Sequence, residues 1–422
     1  MKNFIKKGSM VLIIFLVLIL ALITVNTIPK KYIKDNVKES LEVLKIEGHC
    51  PPAKWAYRLL LDNYTDAIML DTAYSMDTNN LIESTMFMRR GYRTNANLTL
   101  NSIDVPDVPI NNLEANISET NTSYYEYFRY WHGYMIFLRP LLVFFNYSEI
   151  RVILVLVITL LAILLVFFTY KKVDKTLALA TILMLLASNF WAIGLSMQYV
   201  AVFVITLLSS IYIVGRKDKK TDGVMLFLVI GMLTSFFDLF TTPILTLGIP
   251  MIFWIYTKNK EKNTLKGSIN ILLAWGTGYS FAWLSKWILM DAFYGVGAIK
   301  DAIDKVLLYT VSNKEVTASI IKIIITNIYC IELPLVICIG ALTASFIYKL
   351  CVVKTKIDKS IYQYILISLS PFVWYFLVKN HSYIHAGFTY RLLLITIFSL
   401  SVVITKNICK KIKSKRENKI DI

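Results

Sequence analysis

Two of the chain's four histidines, His381 and His385, stand four residues apart in "NHSYIHAGFTYR" (380–391), where helical periodicity would put both on one face. Phe388 and Arg391 continue that face. A zinc protease would add the glutamate of HExxH and a further ligand nearby, and neither is present. The combination reads better as an anion site, because imidazolium and guanidinium groups both donate to phosphate. Tyr383, Phe388 and Tyr390 suit a lipid-linked or sugar-bearing partner. A polar cap bonded to loop carbonyls is the plainer alternative.

Asp66, in "NYTDAIML", is the complementary group. It could act as general base toward an acceptor hydroxyl or hold a divalent metal ion, with Asp62 or Asp71 assisting. It could equally be a first-turn carboxylate of a helix capped by Thr65. No other cofactor is indicated, and the chain has no nucleophile elbow, P-loop or dinucleotide fingerprint. Further candidate substrate-binding residues are Arg129 and His132 in "YYEYFRYWHGYMIFLRPLL" (124–142), Gln198 in "NFWAIGLSMQY" (189–199), and Asp238 at a membrane boundary. Asp238 could also be a helix-end carboxylate paired with Lys286 or Arg391. Lys286 itself reads as a lysine snorkelling from a helix end.

These groups must be positioned by a membrane-embedded scaffold. The chain is 56% hydrophobic, against roughly 45–50% in a soluble domain. Apolar stretches approach the length of about 20 residues needed to span a bilayer as a helix. They fall at 9–28, 150–168, 176–194, 197–214, 224–240, 243–257, 268–288, 330–348, 361–378 and 391–405. The expectation is an all-α polytopic membrane protein of about ten transmembrane helices, with a large first extracytoplasmic loop carrying interfacial helices.

The net charge of +17 is spread over alternate connections: "KKVDK" (171–175), "GRKDKK" (215–220), "KNKEKNTLK" (258–266), "KTKIDK" (354–359) and the tail 406–422. With the N-terminus in the cytoplasm, all of these face inward, as the positive-inside rule requires. The basic tail is then topogenic and faces anionic lipid, so nucleic acid is not an expected partner. The first stretch lacks a small-residue cleavage site and reads as a retained helix. The five cysteines form no CxxC or disulfide framework. A Lys-, Ile- and Asn-rich composition points to a bacterial cell membrane as the location.

Four regions follow: 1–28, the cytoplasmic N-terminus and first helix; 29–149, the extracytoplasmic loop; 150–405, the transmembrane bundle; and 406–422, the basic cytoplasmic tail. Within the loop, Ile33, Val37, Leu41 and Leu44 have the spacing of an amphipathic helix lying on the bilayer, stopped by Gly48 and "CPP". Residues 94–121, poor in large apolar side chains, read as a mobile loop. The topology puts Asp66, His132, Gln198, Asp238, Lys286, His381, His385 and Arg391 on the outer side, where they can converge on one cavity.

The segments "NYTDAIML", "RYWHGYMIFLRPLL" and "HSYIHAGFTYR", in this topology, resemble those of GT-C type polytopic glycosyltransferases. The resemblance implies extracytoplasmic transfer of a sugar from a polyprenyl-phosphate-linked donor to a cell-envelope glycan, polymer or lipid acceptor. It implies Asp66 as the catalytic carboxylate, although the tandem acidic or DxD motif of several members is absent. The competing expectations are a transporter or flippase of a lipid-linked or small polar substrate, and a non-catalytic membrane scaffold. A transporter would carry repeated halves and midplane polar residues, whereas the ionisable residues here crowd the outer edge.

Overall fold

The computed structural model describes residues 2–53, 56–93, 108–119, 122–217, 219–258, 265–310, 319–331, 340 and 360–405. The chain is mostly helical. Among the described residues, four helical runs are long and apolar enough to cross a membrane: Lys7–Val25, Tyr147–Lys172, Met197–Gly215 and Ala386–Thr405. Shorter apolar helices run over Lys175–Ala187, Gly223–Phe237, Leu245–Thr257, Ile320–Tyr329 and Ile361–Leu377. The expected span at 330–348 and the basic tail lie almost wholly outside the described residues.

The segment between α1 (Lys2–Val25) and α7 (Tyr147–Lys172), the expected outer segment, is folded and not purely helical. Its helices are α2 (Lys34–Glu47), α3 (Asn63–Tyr74), α4 (Leu81–Phe87), α5 (Val108–Ser118) and α6 (Met135–Leu142). Between them, β1 (Pro52–Ala53) pairs with β2 (Ala56–Leu60), and β3 (Arg90–Arg93) pairs antiparallel with β4 (Thr122–Tyr125), Arg90 opposite Tyr125. These strands correct the all-α expectation for this region. α5 likewise corrects the loop reading of its own residues, while 94–107 lie outside the described ones.

α2 has the expected apolar face, with Ile33, Val37, Leu41 and Leu44 all buried. Gly48 ends it at a φ of 74°, a conformation that a Cβ would strain. That face packs on α3, α5 and α7 rather than on lipid. α3 is capped by Asp62, three residues before the expected cap, with Thr65 donating both its amide (2.8 Å) and its hydroxyl (3.0 Å) to that carboxylate. Arg139 of α6 is completely buried and donates to the carbonyls of Val25 (3.1 Å), Ala73 and Ile28. It thereby satisfies carbonyls left open where α1 and α3 end.

α7 opens on a full capping box: Asn146 Oδ1 accepts from the Ser148 and Glu149 amides, and Glu149 accepts from the Asn146 amide at 2.9 Å. In the bundle, α11 (Gly223–Phe237) and α13 (Leu265–Tyr294) lie closest. A Cβ on Gly231 would strike the Trp275 carbonyl, and one on Gly278 the Leu228 carbonyl. Small residues at a helix crossing permit this backbone approach.

Two apolar cores result. One joins α7, α8 (Lys175–Ala187), α10 (Met197–Gly215) and α12 (Leu245–Thr257) to residues 361–403; the other joins the outer segment to α1, α11 and α13. The expected helix over 176–194 breaks after Ala187, where Asn189 takes a left-handed φ of 52°.

Candidate functional site

Tyr199, in the first turn of α10, stands between two groups of unlike character. It is within electrostatic reach of Asp62 and Asp66 on one side and of Arg391 on the other.

On the first side, Asp66 is completely buried and accepts from the Tyr147 hydroxyl (2.6 Å), the Met197 amide (2.9 Å) and the Gln198 amide (3.2 Å). Those amides are open donors at the start of α10, whose own N-cap residue Ser196 makes no capping bond to the helix. Asp66 is thus the carboxyl cap of a helix 131 residues further on. The Ser196 hydroxyl accepts from the Asp62 amide at 3.0 Å, and Gln198 Nε2 donates to the Asp62 carboxylate.

Arg151 completes this side. Its Nη1 bonds both oxygens of Glu47 (2.9 and 2.8 Å), and its Nη2 donates to Asn63 Oδ1 (2.6 Å) and the Tyr147 hydroxyl (2.7 Å). Burial pushes the Asp66 carboxyl up to about 7, against the opposing hydrogen bond from Tyr147 and the charge of Arg151. Burial also raises Asp62, and it raises Asp71 to about 6 despite the bond from Asn116.

On the second side, Arg391 is 1% exposed, and none of its three guanidinium nitrogens has a hydrogen-bond partner. The group lies over the Tyr199 ring at 4.3 Å and the Tyr390 ring at 5.0 Å. Stacking on ring faces offsets part of the cost of burying the charge but satisfies no N–H. His385 stacks on Phe388 (4.9 Å), whose ring approaches Tyr199 at 5.8 Å. His381 lies 4.9 Å from His385 and 5.7 Å from Phe388.

His381 and His385 stand together, and Phe388 and Tyr199 link them to Arg391, but the expected imidazolium character is corrected. Burial holds both imidazoles neutral at pH 7, with His381 well below its usual range and His385 at about 4. Arg391 supplies the fixed positive charge of this group, with Lys305 of α14 (Ala298–Thr310) within electrostatic reach of both histidines.

The remaining candidates are structurally engaged. Arg129 forms a bidentate pair with Asp301 (2.9 and 2.8 Å). His132 sits at a left-handed φ of 56°, one ring nitrogen 3.0 Å from the Tyr134 hydroxyl and the other 2.8 Å from the Tyr127 carbonyl. Burial pushes its imidazole down to about 3. Asp238 accepts from the amide and hydroxyl of Thr241 and closes a turn instead of pairing with Lys286. Lys286 does not snorkel; it is completely buried and donates to the Met86 and Thr85 carbonyls at 2.6 and 3.3 Å.

Among the described residues, no cluster of three or more His, Cys, Asp or Glu side chains is arranged for a metal ion. The sequence reading missed Tyr147, Arg151 and Tyr199. Arg151, a charge at the edge of the second span, was the available signal. Comparisons of the chain with protein-family models, curated proteins and solved structures give no match.

Proposed function

We propose that the protein spans the membrane about ten times with both termini in the cytoplasm. There it transfers a sugar from a polyprenyl-phosphate-linked donor to a cell-envelope glycan, polymer or lipid, in the manner of a GT-C type glycosyltransferase. The observation that carries this reading is the buried Arg391 guanidinium without a hydrogen-bond partner. Taking such a charge out of water costs several kcal/mol, and a bound anion with lone pairs offsets that cost. A planar fork of N–H donors matches phosphate, and the ring faces of Tyr199 and Tyr390 hold the fork in place.

In the reaction, the bond between the anomeric carbon and the phosphate oxygen breaks, and its electron pair leaves with the lipid phosphate toward Arg391. The acceptor hydroxyl oxygen forms the new bond to that carbon and gives its proton to a carboxylate. Both Asp62 and Asp66 hold helix starts, and Asp62 takes this role more readily because it is half-buried, whereas Asp66 is completely enclosed. The neutral His381 and His385 hydrogen-bond the donor without adding charge.

The test uses membranes containing the protein and a panel of labelled polyprenyl-phosphate sugars. Incorporation of label into the envelope fraction should depend on the protein and fall in Arg391→Gln and Asp62→Asn. Undiminished incorporation in Arg391→Gln would overturn the reading.

A further inference from the structure

The outer segment carries a concavity apart from these residues, a cleft of ≈ 420 Å³ between the β3–β4 pair and α14. We infer that this cleft holds an uncharged stretch of glycan, through tyrosine faces and carboxylate acceptors, and presents it as the sugar acceptor. The word acceptor rests on the transferase reading; the glycan site does not.

Three observations lead there. The volume falls within the roughly 300–1,000 Å³ of clefts that enclose small ligands. The walls include Tyr92, Tyr124 and Tyr125, side chains that pair a flat apolar face with a polar tip, as a sugar ring pairs its C–H face with hydroxyls. Arg90 lies over Tyr125 at 5.1 Å and Tyr127 at 5.5 Å, which stiffens that wall.

The charges select against an anion. The lining charges are already paired: the Arg129 fork is occupied by Asp301 at 2.8 and 2.9 Å, and Glu126 lies 3.6 Å from Arg89, so no lining guanidinium is free for an anion while the carboxylates keep spare lone pairs. Ionised carboxylates only accept, and each oxygen can take more than one hydroxyl proton. A ligand with many hydroxyls and no negative charge fits this set. The lipid phosphate, which fits Arg391, does not.

The cleft also connects to the first site. Tyr127 belongs to its wall and meets Tyr130 at 5.7 Å; Tyr130 meets Trp283 at 5.6 Å, and Trp283 meets Phe240 at 5.6 Å. Phe240 meets His381 at 5.1 Å, beside the Arg391 group. A row of packed rings therefore links the cleft wall to the His381–His385 pair.

Purified protein in lipid nanodiscs, probed with chitotetraose and maltotetraose by saturation-transfer difference NMR, tests the cleft directly. At least one of these neutral sugars should show saturation, reduced at least tenfold in Tyr92→Ala combined with Tyr125→Ala. Glu126→Gln, a near-isosteric change at a half-buried position that loses only a 3.6 Å ion pair with Arg89, should weaken it severalfold. Arg391→Gln should bind the sugar as the parent does. No saturation of either sugar, or saturation unchanged in both cleft variants, overturns the inference. Sugar binding at the cleft without label transfer in membranes leaves the cleft standing and removes the transferase. Transfer at the parental rate in the cleft variants leaves the transferase standing and overturns the cleft's role in presenting the acceptor.

Discussion

Across Tyr199 the protein builds two polar environments from similar residues and finishes only one of them. Around Asp66, three donors meet the carboxylate, and Arg151 divides its two terminal nitrogens among Glu47, Asn63 and Tyr147, leaving only its Nε without a partner. Around Arg391, a guanidinium equally removed from water meets only ring faces. A satisfied buried network fixes the backbone; an unsatisfied one stores free energy that a ligand can recover. The difference separates scaffold from binding site more sharply than residue type does, since both sides contain an arginine and tyrosines.

The largest expected effect follows from the open side. Arg391→Gln should lower transfer by about 100- to 1,000-fold, the size seen when a fixed donor to developing charge is removed. Arg391→Met should lose activity as severely and yet unfold no more easily than the parent, because it deletes a buried charge that no protein group was satisfying. Unfolding in detergent and label transfer in membranes, measured on the same variants, check this. A large loss of stability in Arg391→Met would show that the guanidinium belongs to the scaffold.

The packed side should behave in the opposite way. Arg151→Met strips charged hydrogen bonds from Glu47, Asn63 and the Tyr147 hydroxyl and should cost about 2–3 kcal/mol of stability. Denaturant unfolding checks it. A cost as small as that of Arg391→Met would erase the distinction between the two arginines.

A third effect is a pH dependence. The carboxyl of Asp66 is raised to about 7 and that of Asp71 to about 6, so between the unfolded value near 3.8 and these values the folded chain binds more protons than the unfolded one. Their contribution is therefore full below about 4 and is lost as pH rises through 6 to 7. The melting temperature in detergent should fall over that window, and Asp66→Asn should flatten the fall. A melting temperature that rises across the same window in the parent, and not in Asp66→Asn, would mean that Asp66 is charged and stabilised there.

Local patterns made much of this architecture readable. The spacing of Ile33, Val37, Leu41 and Leu44 marks α2, Gly48 marks its end, and apolar runs mark the long helices. The clustering of His381, His385 and Arg391 also follows from one short segment. What the sequence concealed depends on distance and burial. Asp66 stands in a first turn, as a local reading allows, but its partners are amides of a helix far along the chain. The neutrality of the histidines comes from enclosure by Phe240, Tyr309 and Phe388, which no spacing encodes. The paired strands are too short for an alternating pattern to emerge, and β3 and β4 meet only across the intervening α5.

The smallest effect tests whether the packed side serves only as scaffold. Asn146 and Glu149 form the capping box that starts α7, and Tyr147 and Arg151 follow within its first turns. Asn146→Ala removes the cap from the Ser148 and Glu149 amides and the bond to Glu39, at a cost of about 1 kcal/mol. Tyr147 remains anchored by Asp66 and Arg151, so the helix start should fray by no more than its first residues. Stability should fall slightly and transfer should stay within about twofold of the parent at a temperature well below unfolding, the change expected when roughly 0.4 kcal/mol or less reaches the transition state. A drop in transfer larger than the drop in stability would mean that the position of Tyr147 is felt at Tyr199 and beyond it at Arg391. The two sides would then be coupled, and the boundary drawn at Tyr199 would have to move outward to include the cap.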